Sequence, residues 1–158
     1  MTALPLLIIL LITIVTTGLP PSPQQPSSQE SDEMAINELY AQWSQAIATR
    51  GAEGYASFFV DNAALLPPNA PAVEGRDAIR KWIEKTLAEY TTKDARISFG
   101  PLKIGNGWAT RRFTMTGQRV AKKGGETVQF NNKYLDVIQK QADGRWMFVY
   151  RMWSSNEG

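Results

Sequence analysis

The chain has 158 residues, enough for one domain with a substantial core, and a near-balanced formal charge of +2 that gives no reason to expect nucleic acid or an anionic membrane as a partner. It contains no His and no Cys. That excludes a His base, a Ser-His-Asp triad, a thiol nucleophile, a disulfide and a His- or Cys-ligated metal, so any acid or base must be Asp, Glu, Tyr or Lys.

The first charged residue is Glu30. Before it, Leu6 to Val15 is apolar apart from Thr13, the length of a signal-peptide core and short for a membrane span. Thr16-Thr17-Gly18 supplies small residues suited to cleavage, although no Lys or Arg precedes the apolar run. Residues 1–18 are therefore expected to be an export signal, making the protein periplasmic or secreted, or, if uncleaved, a membrane anchor through residues 4–19. Residues 19–31, rich in Pro, Ser and Gln, read as a flexible tether. The folded domain is expected over residues 32–158.

Ser31 or Asp32 can cap a first helix, whose apolar stripe is Ile36, Leu39, Tyr40, Trp43 and Ile47 and which ends at Gly51. Ala52 to Phe59 reads as a second short helix. Asp61-Asn62 reads as a turn and Ala63 to Leu66 as a short strand stopped by Pro67-Pro68-Asn69. Asp77 then caps a third helix with the stripe Ile79, Trp82, Ile83 and Leu87. After Lys93 the pattern changes to strands over 95–104, 109–120, 127–140 and 146–154, separated by Gly-containing turns. Three helices followed by an antiparallel meander predict an α+β fold, with the helices covering one face of a curved sheet. Arg111, Arg112, Arg119, Lys122 and Lys123 cluster on one predicted hairpin and read as a solvated strand edge.

The last hairpin carries the most chemistry. Val128, Phe130, Asn132, Tyr134, Asp136 and Ile138 share one strand face, apolar except for Asn132 and Asp136. On the next strand Arg151 lies between Val149 and Trp153. A carboxylate, an amide and a guanidinium on apolar faces suggest a pocket. A buried carboxylate must be paired or neutral, and Arg151 is on the partner strand. The pair is either a structural salt bridge, with Asn132 filling remaining hydrogen-bond positions, or a site in which Arg151 binds an anionic group and Asp136 acts as acid or base.

Phe58-Phe59-Val60-Asp61-Asn62-Ala63-Ala64-Leu65-Leu66-Pro67-Pro68-Asn69, then Val73-Glu74-Gly75-Arg76-Asp77-Ala78-Ile79-Arg80, resembles the SnoaL-like, ketosteroid-isomerase-like families of the nuclear transport factor 2-like superfamily. Asp143-Gly144-Arg145-Trp146 and Met152-Trp153-Ser154-Ser155 fit the same pattern. The resemblance implies a cone-shaped curved antiparallel sheet on three N-terminal helices, a homodimer through the outer sheet face, and a cavity for a small apolar or carbonyl-bearing ligand. It matches Trp43, Trp82 and Trp153 to cavity-lining positions, although an aromatic stripe also reads as core; Tyr40 and Tyr55 are candidate proton donors near the mouth, in a direction the sequence leaves open. It also tests the isomerase site: the tyrosine position falls on Trp43, the base on Pro67, and only the third position survives, as Asp136. Steroid-isomerase chemistry is thereby disfavoured. Arg151 also stands where many such relatives carry an acid. The expected function is small-molecule binding with Asp136, Arg151, Asn132 and the three tryptophans, and no metal or cofactor. Any catalysis would be cofactor-free isomerisation, dehydration or hydrolysis; the competing reading is a non-catalytic binding or assembly module.

Overall fold

A computed structural model describes residues 27–156. The expected export segment and most of the tether lie outside the described residues.

Helix α1 runs Ser28–Ala56. Its N-cap is Ser27, whose hydroxyl accepts from the Glu30 amide while the Glu30 carboxylate accepts from the Ser27 amide at 2.8 Å. This reciprocal capping box, missed in the sequence reading, starts the helix earlier than the expected Ser31 or Asp32 and makes residues 28–31 helical rather than tether. Gly51 takes φ 57° and ψ −131°, so α1 kinks there and continues for one further turn. The separate second helix expected over 52–59 is that turn; Phe59 already belongs to strand β1, Phe59–Leu66. Two helices therefore stand where three were expected.

Asp61 and Asn62 are not a turn but the exposed bulge of β1, where its register against the last strand shifts. A two-residue strand β2, Val73–Glu74, pairs back on β1. Helix α2, Arg76–Glu89, follows; its N-cap is Gly75 at φ 88°, and Asp77 sits inside the first turn where its charge complements the helix dipole. Strands β3 (Tyr90–Gly105), β4 (Trp108–Ala121), β5 (Thr127–Lys140) and β6 (Trp146–Ser155) form the antiparallel meander.

The six strands make one curved, unclosed sheet in the order β2-β1-β6-β5-β4-β3. It is mixed rather than antiparallel throughout, because β1 joins β6 in parallel after the α2 crossover and the meander. One face of this sheet, through Phe59, Ala63, Leu65, Ala109, Phe113, Ile138, Phe148 and Val149, packs on Ile36, Leu39, Tyr40, Trp43 and Tyr55 of α1 and on Ile79 and Ile83 of α2. Alternation along each strand sends every second side chain into that core, which is why Asp136 and Arg151 are inside at all.

Candidate functional site

Register aligns three charged residues across the inner face. Arg111 of β4 is paired with Asp136 of β5, and Asp136 with Arg151 of β6. All three are buried: Asp136 is 0%, Arg151 2% and Arg111 7% exposed. Arg151 grips the carboxylate with both arms of its fork, Nε to Oδ1 at 2.8 Å and Nη2 to Oδ2 at 2.7 Å. The Tyr40 hydroxyl of α1 donates to Oδ2 at 2.8 Å. Asn132 takes no part; Tyr40 and Arg151 satisfy the carboxylate between them. The third arm of Arg151 donates to the Tyr55 hydroxyl at 3.3 Å.

The guanidinium carbon of Arg151 lies 4.2 Å from the centre of the Trp43 ring and 4.6 Å from Phe148, with Phe113, Phe59 and Tyr55 completing an aromatic cage. Burial opposes its charge, but the Asp136 carboxylate more than offsets this and holds the Arg151 pKa well above its usual range. Arg151 is therefore a fixed cation. Burial, and then the Asp136 charge, push the Tyr40 pKa far up; burial raises Tyr55 against the opposing pull of Arg151. Both hydroxyls are neutral donors and acceptors held inside the cone, not groups at its mouth.

Arg111 is the residue that sequence reading missed, having been grouped with the exposed hairpin cations. Its neighbours on the same strand face, Ala109 and Phe113, are buried, and that alternation is the signal that could have found it. One Nη donates to Asn37 Oδ1 at 2.7 Å, and the guanidinium lies 4.3 Å from the centre of the Phe99 ring. Its Nε has no partner.

The tryptophans separate into two groups. Trp43 is 5% exposed, its indole N–H unpartnered, and it packs on Tyr55, Phe148 and Arg151 in the core rather than on an open wall. Trp82 of α2 and Trp153 of β6 are half-buried and meet edge to face at 5.8 Å. From Trp153 the rings continue inward: Tyr134 at 5.9 Å, then Phe113 stacked on Tyr134 at 4.6 Å, then Tyr40. An aromatic ladder thus runs from the half-buried Trp82–Trp153 pair to the carboxylate on the floor of the cone. Asn132, on the same strand face as Asp136 but four residues away, lies roughly 13 Å along β5. Its cross-strand partners are Met115 and Ser155, beside the outer end of the ladder. Among the described residues no cluster of carboxylates is placed to hold a metal ion.

A long helix held in a curved, unclosed mixed sheet, with a polar group on an otherwise aromatic floor, defines a nuclear transport factor 2-like cone. Residues 29–152 match the SnoaL-like domain family, and the chain belongs to it. Among solved structures it is similar to a ketosteroid isomerase-like protein from Erwinia carotovora atroseptica, with 17% identity over 79% of this chain and 96% of that one and a TM-score of 0.71. It is similar also to a candidate scytalone dehydratase from Novosphingobium aromaticivorans, with 19% identity over 80% and 85% of the two chains and a TM-score of 0.70. A conserved protein from Planctomyces limnophilus aligns with 16% identity over 79% and 98%, TM-score 0.69. At these identities the likeness shows the fold alone. No curated protein matches the chain in sequence.

Proposed function

We propose that this is an exported SnoaL-like domain that binds a small, flat, largely apolar molecule without transforming it. The ligand would sit against the half-buried Trp82 and Trp153 and against Tyr134, with Asn132 as its polar contact. Asp136 and Arg151 would build the floor. One observation carries this reading: the carboxylate is 0% exposed and both its oxygens are occupied by Arg151 and Tyr40. A general base must come within hydrogen-bond reach of the substrate proton. Asp136 could do so only by surrendering a bidentate ion pair in a buried aromatic cage, where breaking such a pair costs about 3–5 kcal/mol. The apolar run before Glu30 supports export, and the aromatic ladder supports a flat ligand.

The reading is tested by a thermal-shift screen of the protein against uncharged polycyclic ketones and phenols, since a ligand that prefers the folded state raises its melting temperature. A true ligand should lose about tenfold or more in affinity in Trp82→Ala and in Trp153→Ala, about the loss of one buried aromatic contact. Binding that ignores both substitutions would end the proposal. So would wild-type turnover that disappears in a folded Asp136→Asn variant, which would restore the acid/base role.

A further inference from the structure

Among the described residues, Arg111 is the one buried charge that the ion pair on the floor does not use. It is 7% exposed, and no carboxylate of those residues comes within 4.0 Å of it. Both oxygens of Asp136 are occupied by Arg151 and Tyr40. Glu33 and Glu38 of α1, four residues before and one after Asn37, form no ion pair with it either. Of its N–H groups the bond to Asn37 Oδ1 takes one, and Nε has no partner. The faces of the Phe99 and Tyr40 rings, centred 4.3 and 5.2 Å from the guanidinium carbon, favour the charge but offer no lone pair to its donors. The other buried side-chain atom without a partner, the Trp43 indole nitrogen, is likewise a donor. The interior is therefore short of acceptors and carries one positive charge in excess.

This cation lies at the seam between α1 and the edge strand β3. Phe99 pairs with Phe113 and Leu102 with Arg111, so three steps along β3 match two along β4. The bulge at Gly100-Pro101 supplies the extra residue, and Phe99 and Leu102 both turn inward when strict alternation would send them to opposite faces. Leu102 packs on the core, whereas Phe99 stays 46% exposed. On the helix side Asn37 is exposed, and so is Met34, three residues earlier and therefore its neighbour on the helix surface. The Arg111 guanidinium is thus held just beneath the surface, between an exposed amide and an exposed ring, with a second apolar side chain beside the amide.

From this geometry we propose that Arg111 and Asn37 form a second binding site, for a small monocarboxylate with an apolar body. The carboxylate accepts from the unused N–H groups of Arg111 and from the amide nitrogen of Asn37, whose oxygen Arg111 already holds. The apolar body rests on Phe99 and Met34. The exposed Phe99 ring turns aside to admit the ligand, which a side chain on an edge strand can do without unpairing the sheet. A single negative charge follows from the count: one monoanion balances two buried guanidiniums and one carboxylate, whereas a dianion would overshoot and cost more to bring out of water. The planar carboxylate also matches the edge of a guanidinium. This site is distinct from the one proposed for an uncharged ligand. Arg111 and Met115, whose cross-strand partner is Asn132, are four residues apart on β4, about 13 Å.

The full chain, isotopically labelled at nitrogen, is titrated with benzoate while the Arg111 Nε–H resonance, identified by its absence from Arg111→Gln, is followed. That resonance should shift saturably. Benzamide, the uncharged counterpart, and formate, the head without the body, should each bind at least about tenfold more weakly. Asn37→Asp, at an exposed position, gives Arg111 a carboxylate of its own where the amide stood, and should weaken benzoate by at least about tenfold. Arg111→Gln removes a buried unpaired charge, so it should fold and lose benzoate to the same extent. The proposal is overturned if the Nε–H resonance does not move, if benzamide or formate binds as well as benzoate, or if Asn37→Asp binds benzoate as the wild type does. Chloride binding as tightly as benzoate would make this an inorganic-anion site, and loss of benzoate binding in Trp82→Ala would place the acid at the tryptophans; either result also rejects it. The uncharged ligand is tested by Trp82→Ala and Trp153→Ala alone, so either proposal can fail without the other.

Discussion

The Asp136–Arg151 pair offers the sharpest test of how the cone is held together. Three charges share its interior, two guanidiniums and one carboxylate, so the wild-type cluster carries a net positive charge. Arg151→Met removes that net charge but leaves a fully buried carboxylate with one hydrogen bond, from Tyr40. Removing one partner of a buried pair costs about 3–5 kcal/mol. Asp136→Asn is the harsher change, because it leaves two buried guanidiniums with no anion and puts an NH2 donor in place of one of the two oxygens that accept from Arg151. It should cost about 5 kcal/mol, at the top of that range. The double variant restores the wild-type net charge and keeps an amide oxygen to accept from Tyr40. It should therefore be less destabilised than the sum of the singles by about 3 kcal/mol. In a domain of this size each kcal/mol moves the melting temperature by about 3 °C, so each single variant should melt about 10–15 °C lower. Urea unfolding of the four proteins completes the cycle. A coupling below about 0.5 kcal/mol, or Arg151→Met proving more damaging than Asp136→Asn, would refute the account of the floor as an unevenly charged ion-pair cluster.

Two further predictions concern the frame. Burial raises both Tyr40 and Tyr55; above about pH 10 the unfolded chain releases their protons while the folded one retains them, so stability should fall by up to about 2.7 kcal/mol per pH unit. Tyrosinate absorbance should show that these two of the five tyrosines ionise only as the protein unfolds; ionisation of all five in the folded state would contradict this. In the kinked end of α1, a Cβ added at Gly54 would run into the Ala46 carbonyl oxygen. Gly54→Ala should therefore destabilise by at least about 2 kcal/mol in urea, whereas a neutral result would mean the kink relaxes freely.

Much of the fold was legible because it depends on local periodicity. The stripe from Ile36 to Trp43 is a helix buried on that face, the break at Gly51 is present, and the strand predicted over 127–140 has those bounds in the structure. Errors arose where the deciding contact was not periodic. Ser27 and Glu30 cap α1 from within a stretch whose composition reads as tether. Asp61-Asn62, a turn by residue type, is a bulge because β1 must pair in parallel with a strand some ninety residues later. The same nonlocal pairing makes the sheet mixed.

The sequence by itself determined that Asp136 and Arg151 stand on apolar strand faces, because side-chain direction alternates with a period of two whatever the strand later meets. Only the tertiary structure decided what that placement means. Tyr40, Tyr55 and Trp43 arrive from a helix about eighty to a hundred residues away and turn two polar positions into a caged ion pair; Arg111 enters from a third strand and unbalances its charge. Burial and hydrogen-bond partners are properties of the assembled chain. The same carboxylate would be an available base in an open cavity, and here it is an occupied acceptor on a filled floor.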